Sequence, residues 1–251
     1  MSTNTLDILF TAPHPDDLEI GCGGAIASLV KQGYRVGMAH MTNGEPTPLG
    51  DPETRLKEMR AAADILGVSV CEMVGLPNRV LMDGPEARFA LAAVVRKYRP
   101  LVLVGLAGRT VAASPDHYQA QLITEAVRFY SQLTKWDERF SGTQPHRVDH
   151  LVYRPIARSA EIHHWHSQFV VDITGTIDQK LAAVACYRSQ FPPERLAHLE
   201  HWIRSIAGYE GGACGFNYGE LYAVPRPLST PDMMKFFQKW PVPSPIDSPK
   251  V

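Results

Sequence analysis

The stretch Leu6–Ile26, LDILFTAPHPDDLEIGCGGAI, decides how the rest of the chain is read. Its apolar run over 6–12 predicts a buried strand, and after a polar knot the glycine-rich span 19–32 predicts a helix ended by Gly33. Between them, Pro13 and Pro15 fix their own φ and restrict the residue before each, so His14 is held stiff and extended. In an open α/β sheet, ligands gather beyond the carboxyl ends of the strands, which makes this strand-to-helix turn a rigid base for chemistry. His14 and Asp17, three positions on, can meet at one divalent ion, while Asp16 faces another direction and stays free to handle a proton.

Outward from this turn, strands over 34–41, 68–74 and 101–106 alternate with helices over 51–67, 85–98 and 118–133. That alternation predicts a mostly parallel sheet in a Rossmann-like, three-layer α/β sandwich, with the active site at the C-terminal ends of the strands. The turn Thr42-Asn43-Gly44-Glu45 then reaches the same end of the sheet as His14. So does the loop after the fourth strand, whose second polar cluster is Ser114-Pro115-Asp116-His117. His117 supplies the third ligand that an open catalytic zinc site requires. Beyond 140 the pattern loosens into strands over 150–155 and 169–173 and helices over 176–189 and 194–209. His163, His164 and His166 surround Trp165 between those strands, and the glycine-aromatic segment 210–222 reads as a loop over the site or against a neighbouring subunit. Residues 1–239 are expected to form a single domain, followed by a proline-rich arm over 240–251.

Composition excludes several classes. With 25 basic and 26 acidic residues in 251 and no long run of either sign, neither a nucleic acid nor an anionic membrane is expected as a partner. No stretch of about 18 apolar residues occurs, the N-terminus lacks the pattern of a leader, and Cys22, Cys71, Cys186 and Cys214 form no CxxC pair, so a cytoplasmic protein is expected. A dinucleotide site fails on spacing, because the position three after Gly23 is Ile26, and two carboxylates at the turn would repel a pyrophosphate. An aspartate merely capping the following helix is a simpler reading of Asp16 or Asp17, but it explains one carboxylate and leaves the second cluster unaccounted for.

The run Ala12–Gly24, APHPDDLEIGCGG, resembles the AHPDDE…GCGG signature of the LmbE-like (PIG-L) zinc-dependent N-acetylglucosaminyl deacetylases, which include the mycothiol and bacillithiol pathway deacetylases. Weaker similarity runs through Asn43-Gly44-Glu45, the helix with Arg55 and Glu58, Leu76-Pro77, Pro115-Asp116-His117 and the YRSQF segment over 187–191. The resemblance implies one Zn2+ per chain on His14, Asp17 and His117, with Asp16 as general base and with Arg55 and Glu45 contacting sugar hydroxyls. It also implies a small N-acetylated sugar conjugate as substrate and a homo-oligomer, a trimer or hexamer. Leu18 stands between the paired aspartates and Glu19, a departure that leaves the ligands in place. Ser114 replaces a histidine that the family uses on the oxyanion or the leaving amine, and serine carries no positive charge. Three accounts are open: a substitute among His163, His164, His166, Arg109 or Tyr118; weaker help with zinc polarising the carbonyl; or a sugar-binding protein without turnover. Asp116 is expected either to orient a neighbouring ligand or to cap the following helix.

Overall fold

The computed structural model describes residues 5–140, 142–156 and 167–238. His163, His164, His166 and the proline-rich arm over 240–251 lie outside the described residues. The first half follows the expected alternation: β1 (Ile8–Ala12), α1 (Asp17–Lys31), β2 (Val36–Thr42), α2 (Pro52–Leu66), β3 (Val70–Leu76), α3 (Pro85–Tyr98), β4 (Val102–Ala107) and α4 (Asp116–Tyr130). Helix α2 shows why the boundaries are sharp: Asp51 accepts from the amides of Glu53 and Thr54, Pro52 opens the helix, and Gly67 closes it in the left-handed region. After β5 (His150–Pro155) come β6 (Gln168–Asp172), α5 (Ile177–Val184), α6 (Pro193–Gly212), β7 (Gly219–Ala223) and α7 (Met233–Gln238).

One seven-stranded sheet runs in the order β3-β2-β1-β4-β5-β7-β6. The pairs from β3 through β5 are parallel, while β7 is antiparallel to both of its neighbours. Alternate residues of β1 feed opposite layers. Phe10 joins Leu18, Ile26, Met59 and Leu181 on one face, and Leu9 joins Leu91, Val95, Ile123 and Val127 on the other, so the sheet is sandwiched between helices. The chain winds outward from β1 in both directions, and β1 lies directly against β4, with Ile8 opposite Val102 and Thr11 opposite Gly105. That adjacency is the topological switch point, where the loops leaving two neighbouring parallel strands splay apart and open a crevice.

The segment over 210–222 corrects the expectation of a loop. Its first residues finish α6, and Gly219–Ala223 is β7, inserted between β5 and β6. Its glycines serve a close approach of helix and strand: a Cβ at Gly211 would stand 2.6 Å from the Gly219 amide nitrogen, and one at Gly219 would stand 2.8 Å from the Gly211 Cα. The helix expected over 176–189 stops at Val184, and the chain turns through Tyr187 to Phe191 into α6.

β7 also brings a buried charge under α1. Glu220 is 0 % exposed and accepts from Lys180 Nζ at 2.6 Å, from Tyr222 Oη at 2.9 Å, and from the Gly24 and Ala25 amides. Gly24 lets the turn between β6 and α5 close in, since a Cβ there would meet Ile173 at 2.7 Å. Burial works against ionisation of Glu220, but Lys180 and Arg154 outweigh it and hold the carboxyl below its ordinary value of 4.5. Its contribution to stability is therefore complete above the ordinary carboxylate range and is lost as pH falls through the lowered folded value. Glu220→Gln is expected to cost about 3–5 kcal/mol at pH 7 by leaving Lys180 without its anion. The same substitution should flatten the fall in stability below about pH 4.5. Urea denaturation of both proteins across a pH series checks each outcome.

Candidate active site

Three consecutive carbonyls of the turn after β1 are held from beneath. Pro13 O accepts from the Thr42 amide and hydroxyl, each at 2.9 Å; His14 O lies 3.2 Å from His40 Nδ1; and Pro15 O accepts from Arg55 Nη2 at 2.5 Å. The prolines supply no amide hydrogens of their own, so β2 and α2 fix the turn through its oxygens. His40 is fully buried, and burial pushes its pKa down to about 4, so the ring is neutral and donates from Nδ1. Nothing in the apolar pattern of β2 singled out His40. A histidine at the carboxyl end of a buried strand was the available signal.

Asp16 precedes α1 with φ of 101°, in the left-handed region that costs a non-glycine residue about 1–3 kcal/mol. Its side chain makes no capping bond, so the simple capping role is not what the turn does with it. The carboxylate instead meets Arg55 Nη2 at 3.3 Å, and the twist of the backbone sends it away from Asp17. Burial and the neighbouring Asp17 charge push its pKa up to about 7, against the pull of Arg55 and His14.

Asp17 faces the other way, toward two imidazoles. Its Oδ2 accepts from the His14 amide at 3.0 Å and lies 3.1 Å from His14 Nδ1, while its Oδ1 lies 2.9 Å from His117 Nε2, one hundred positions along the chain. The two rings stand 5.1 Å apart between centroids, edge to face. Each has its far nitrogen engaged: His117 Nδ1 donates to Ser114 O at 3.0 Å, and His14 Nε2 donates to Asp116 Oδ2 at 3.2 Å. Asp116 is itself anchored by the Arg79 amide at 2.7 Å. It begins α4 beyond the N-cap position, with its carboxylate against His14.

One donor atom from each of His14, Asp17 and His117 lies within 4.8 Å of the others, a group suited to one metal ion. Two imidazole nitrogens and a carboxylate oxygen form the donor set of open zinc sites, and the engaged far nitrogens fix each ring's orientation. Burial opposes the charges, yet Asp17 raises both imidazoles, His117 to about 9, and they in turn hold Asp17 far below the usual carboxylate range. A divalent ion at this point takes the place of the protons that these three groups otherwise share.

The remaining expected residues are placed less simply. Arg55 is 1 % exposed and turned toward Pro15 and Asp16, although its Nε and Nη1 find no hydrogen-bond partner among the described residues. Glu45 is also buried; it accepts from the Thr47 amide and hydroxyl and stands 3.9 Å from Arg55 Nε. Ser114 accepts from the Asp116 amide and offers its carbonyl to His117, so it shapes the loop rather than supplying a proton. Arg109 lies over the Tyr118 ring at 6.0 Å. A cleft of about 650 Å3 has Asp17 and His117 in its wall and runs along α6. No described helix is long and apolar enough to cross a membrane.

Comparison with known proteins agrees with this geometry. Residues 9–127, which hold all three members of the metal-binding group, match the PIG-L family, described as GlcNAc-PI de-N-acetylase. The chain is 31 % identical over 225 residues to diacetylchitobiose deacetylase of Thermococcus kodakarensis, covering 85 % of this chain and 80 % of that protein. It is 27 % identical to 4-oxalmesaconate hydratase of Pseudomonas putida, covering 87 % and 85 %. A conserved protein from Thermus thermophilus superposes with a TM-score of 0.77 at 34 % identity, over 90 % of this chain and 97 % of that one. With its parallel sheet, its HPDD turn and the Pro-Asp-His that joins it across the crevice, the chain belongs to the PIG-L family.

Proposed function

We propose that this protein is a zinc-dependent hydrolase, with one ion per chain, that removes the N-acetyl group from an N-acetylglucosamine-type sugar or conjugate. The observation that carries the reading is the convergence of His14, Asp17 and His117 on one point, with a second carboxylate, Asp16, turned aside from it. Similarity to diacetylchitobiose deacetylase supports the choice of an acetamido sugar. When bound, the ion would polarise an amide carbonyl and acidify a neighbouring water. Asp16 takes the proton of the attacking water and returns it to the departing amine, as befits a general base whose protonated form is accessible near neutrality.

Arg55 holds that carboxylate in place through Nη2, and its Nε and Nη1, with Glu45 beside them, are the donors and acceptor that this reading assigns to sugar hydroxyls. Asp116 and the Ser114 carbonyl keep both imidazoles aimed. A sugar-binding protein without turnover is not favoured, because the base and the three ligand positions are complete even with serine at 114. A cytoplasmic setting and a homo-oligomer, trimeric or hexameric, belong to the same reading; Cys22, Cys71, Cys186 and Cys214 are all free thiols, which suits a reducing compartment.

The test is release of acetate from a panel of N-acetylated sugars by the zinc-loaded protein. Acetate itself is measured because a hydratase stands among the relatives. Asp16→Asn is expected to retain one metal per chain and to lose about 10²–10⁴-fold in kcat; an Asp16→Asn enzyme turning over at the wild-type rate would remove the residue from the mechanism. Asp116→Asn is expected to weaken metal binding by about 10–100-fold while leaving the chain folded, as read by competition with a chelating dye.

A further inference from the structure

The cleft that opens on Asp17 and His117 continues well beyond them, and its far wall is one face of α6. Leu199, Trp202, Ile203 and Ile206 stand at i, i+3, i+4 and i+7, so a single stripe of the helix faces the cleft, opposite Ile20 and Leu106. Two of the charged residues along this wall are already committed. Arg154 donates to Glu210, Gly21 O and Leu221 O, and Lys180 is bonded to Glu220. Arg195 and His198, the latter next to Leu199, line the N-terminal part of the α6 face, and Trp202, Ile203 and Ile206 make its middle apolar.

A volume of about 650 Å3 is in the range that holds a drug-sized ligand, and it is continuous with the two metal-binding side chains. A second sugar ring there would bring several hydroxyls against the middle of α6, where Ile203 and Ile206 offer them no partner, and a hydroxyl buried unsatisfied weakens binding. An alkyl or aryl group needs no such partner, and each methylene it buries there favours binding.

We propose that the α6 stripe centred on Trp202 and Ile206 is a specificity subsite for an uncharged apolar aglycone, so that the substrate is an N-acetylated amino sugar carrying an alkyl or aryl group. This deepens the deacetylase reading and rests on it for the sugar end alone.

The experiment compares methyl and hexyl 2-acetamido-2-deoxy-β-glucosides, with N,N'-diacetylchitobiose as the two-sugar alternative. For the zinc-loaded enzyme, kcat/KM for the hexyl glycoside is expected to exceed that for the methyl glycoside by tenfold or more, carried by KM, and to exceed that for the disaccharide. Trp202→Ala and, separately, Ile206→Asn should reduce the hexyl-to-methyl ratio to below threefold. Ile206 stands outside the buried core clusters, so its variant reports even where loss of Trp202 unfolds the chain. Calorimetry of the metal-free protein with the same glycosides reads the subsite without turnover, and tighter hexyl binding with a negative heat-capacity change is expected. If no glycoside releases acetate but the hexyl preference in binding persists, the deacetylase reading fails and the subsite stands. Equal binding of hexyl and methyl glycosides, a ratio unmoved by both variants, or a preference for the disaccharide would overturn the subsite.

Discussion

The carboxylate of Asp17 is the interaction on which the site depends. It reaches His14 within its own turn and His117 at the start of α4, one hundred positions away, and the second contact exists only because β1 and β4 are neighbours. Local propensity cannot bring them together; the order of strands does. Because the chain winds outward from β1 in both directions, the turn after β1 and the loop after β4 are the two that flank the switch point. Sheet topology and donor set are in this sense one constraint. A change that displaced β4 by one strand would leave two half-sites with nothing to share.

Adjacent aspartates are pushed in opposite directions, and the backbone between them is the cause. Asp16 sits at φ of 101°, so its carboxylate leaves the turn on the side of Arg55, while Asp17, the first residue of α1, points at the imidazoles. Burial raises both carboxyls; two imidazoles overcome it at Asp17, whereas one partly offset guanidinium does not at Asp16. Two carboxyls with separated proton affinities are what a ligand and a base require of neighbouring positions. The strain is held by the three carbonyl contacts beneath the turn, which no single substitution on the surface of the site would relax.

Much of this was legible in the sequence wherever the signal was local. The apolar run of β1, the prolines around His14, the Asp51-Pro52 start and Gly67 stop of α2, and the Pro-Asp-His before α4 each announce themselves within a few residues. What was not legible depends on distant partners. Arg55 is expected to reach sugar hydroxyls, yet it lies buried under a turn forty positions earlier. The glycines at 211 and 219 read as loop residues because glycine is permissive, and only the packed helix and strand show that they are there for want of a Cβ. Glu220 falls in the segment expected to be a loop, and nothing local in the sequence announces that Lys180 and Arg154 close around it.

The division of labour along the chain follows from the same geometry. Every side chain placed on the reaction, from His14 to His117, lies within the 9–127 span that matches the family, whereas α6 begins at Pro193. The donor set is fixed by strand order and by carbonyls tied to β2 and α2, so it tolerates little variation. Helix α6 contributes one face to the cleft, is seated in the core by Ile203 and Ala207, and is joined to the sheet through Arg154–Glu210 and the Gly211–Gly219 contact near its far end. A position in its middle that stands outside the buried core clusters, such as 206, can therefore change size and polarity without moving an imidazole. A scaffold of this kind can keep one set of reacting groups while altering what lies against them, which fits a chain whose relatives include both a deacetylase and a hydratase. On the proposed reading, the identity of the residue at 202 bears on which substrate enters, and the residues at 14, 16, 17 and 117 on what is done to it.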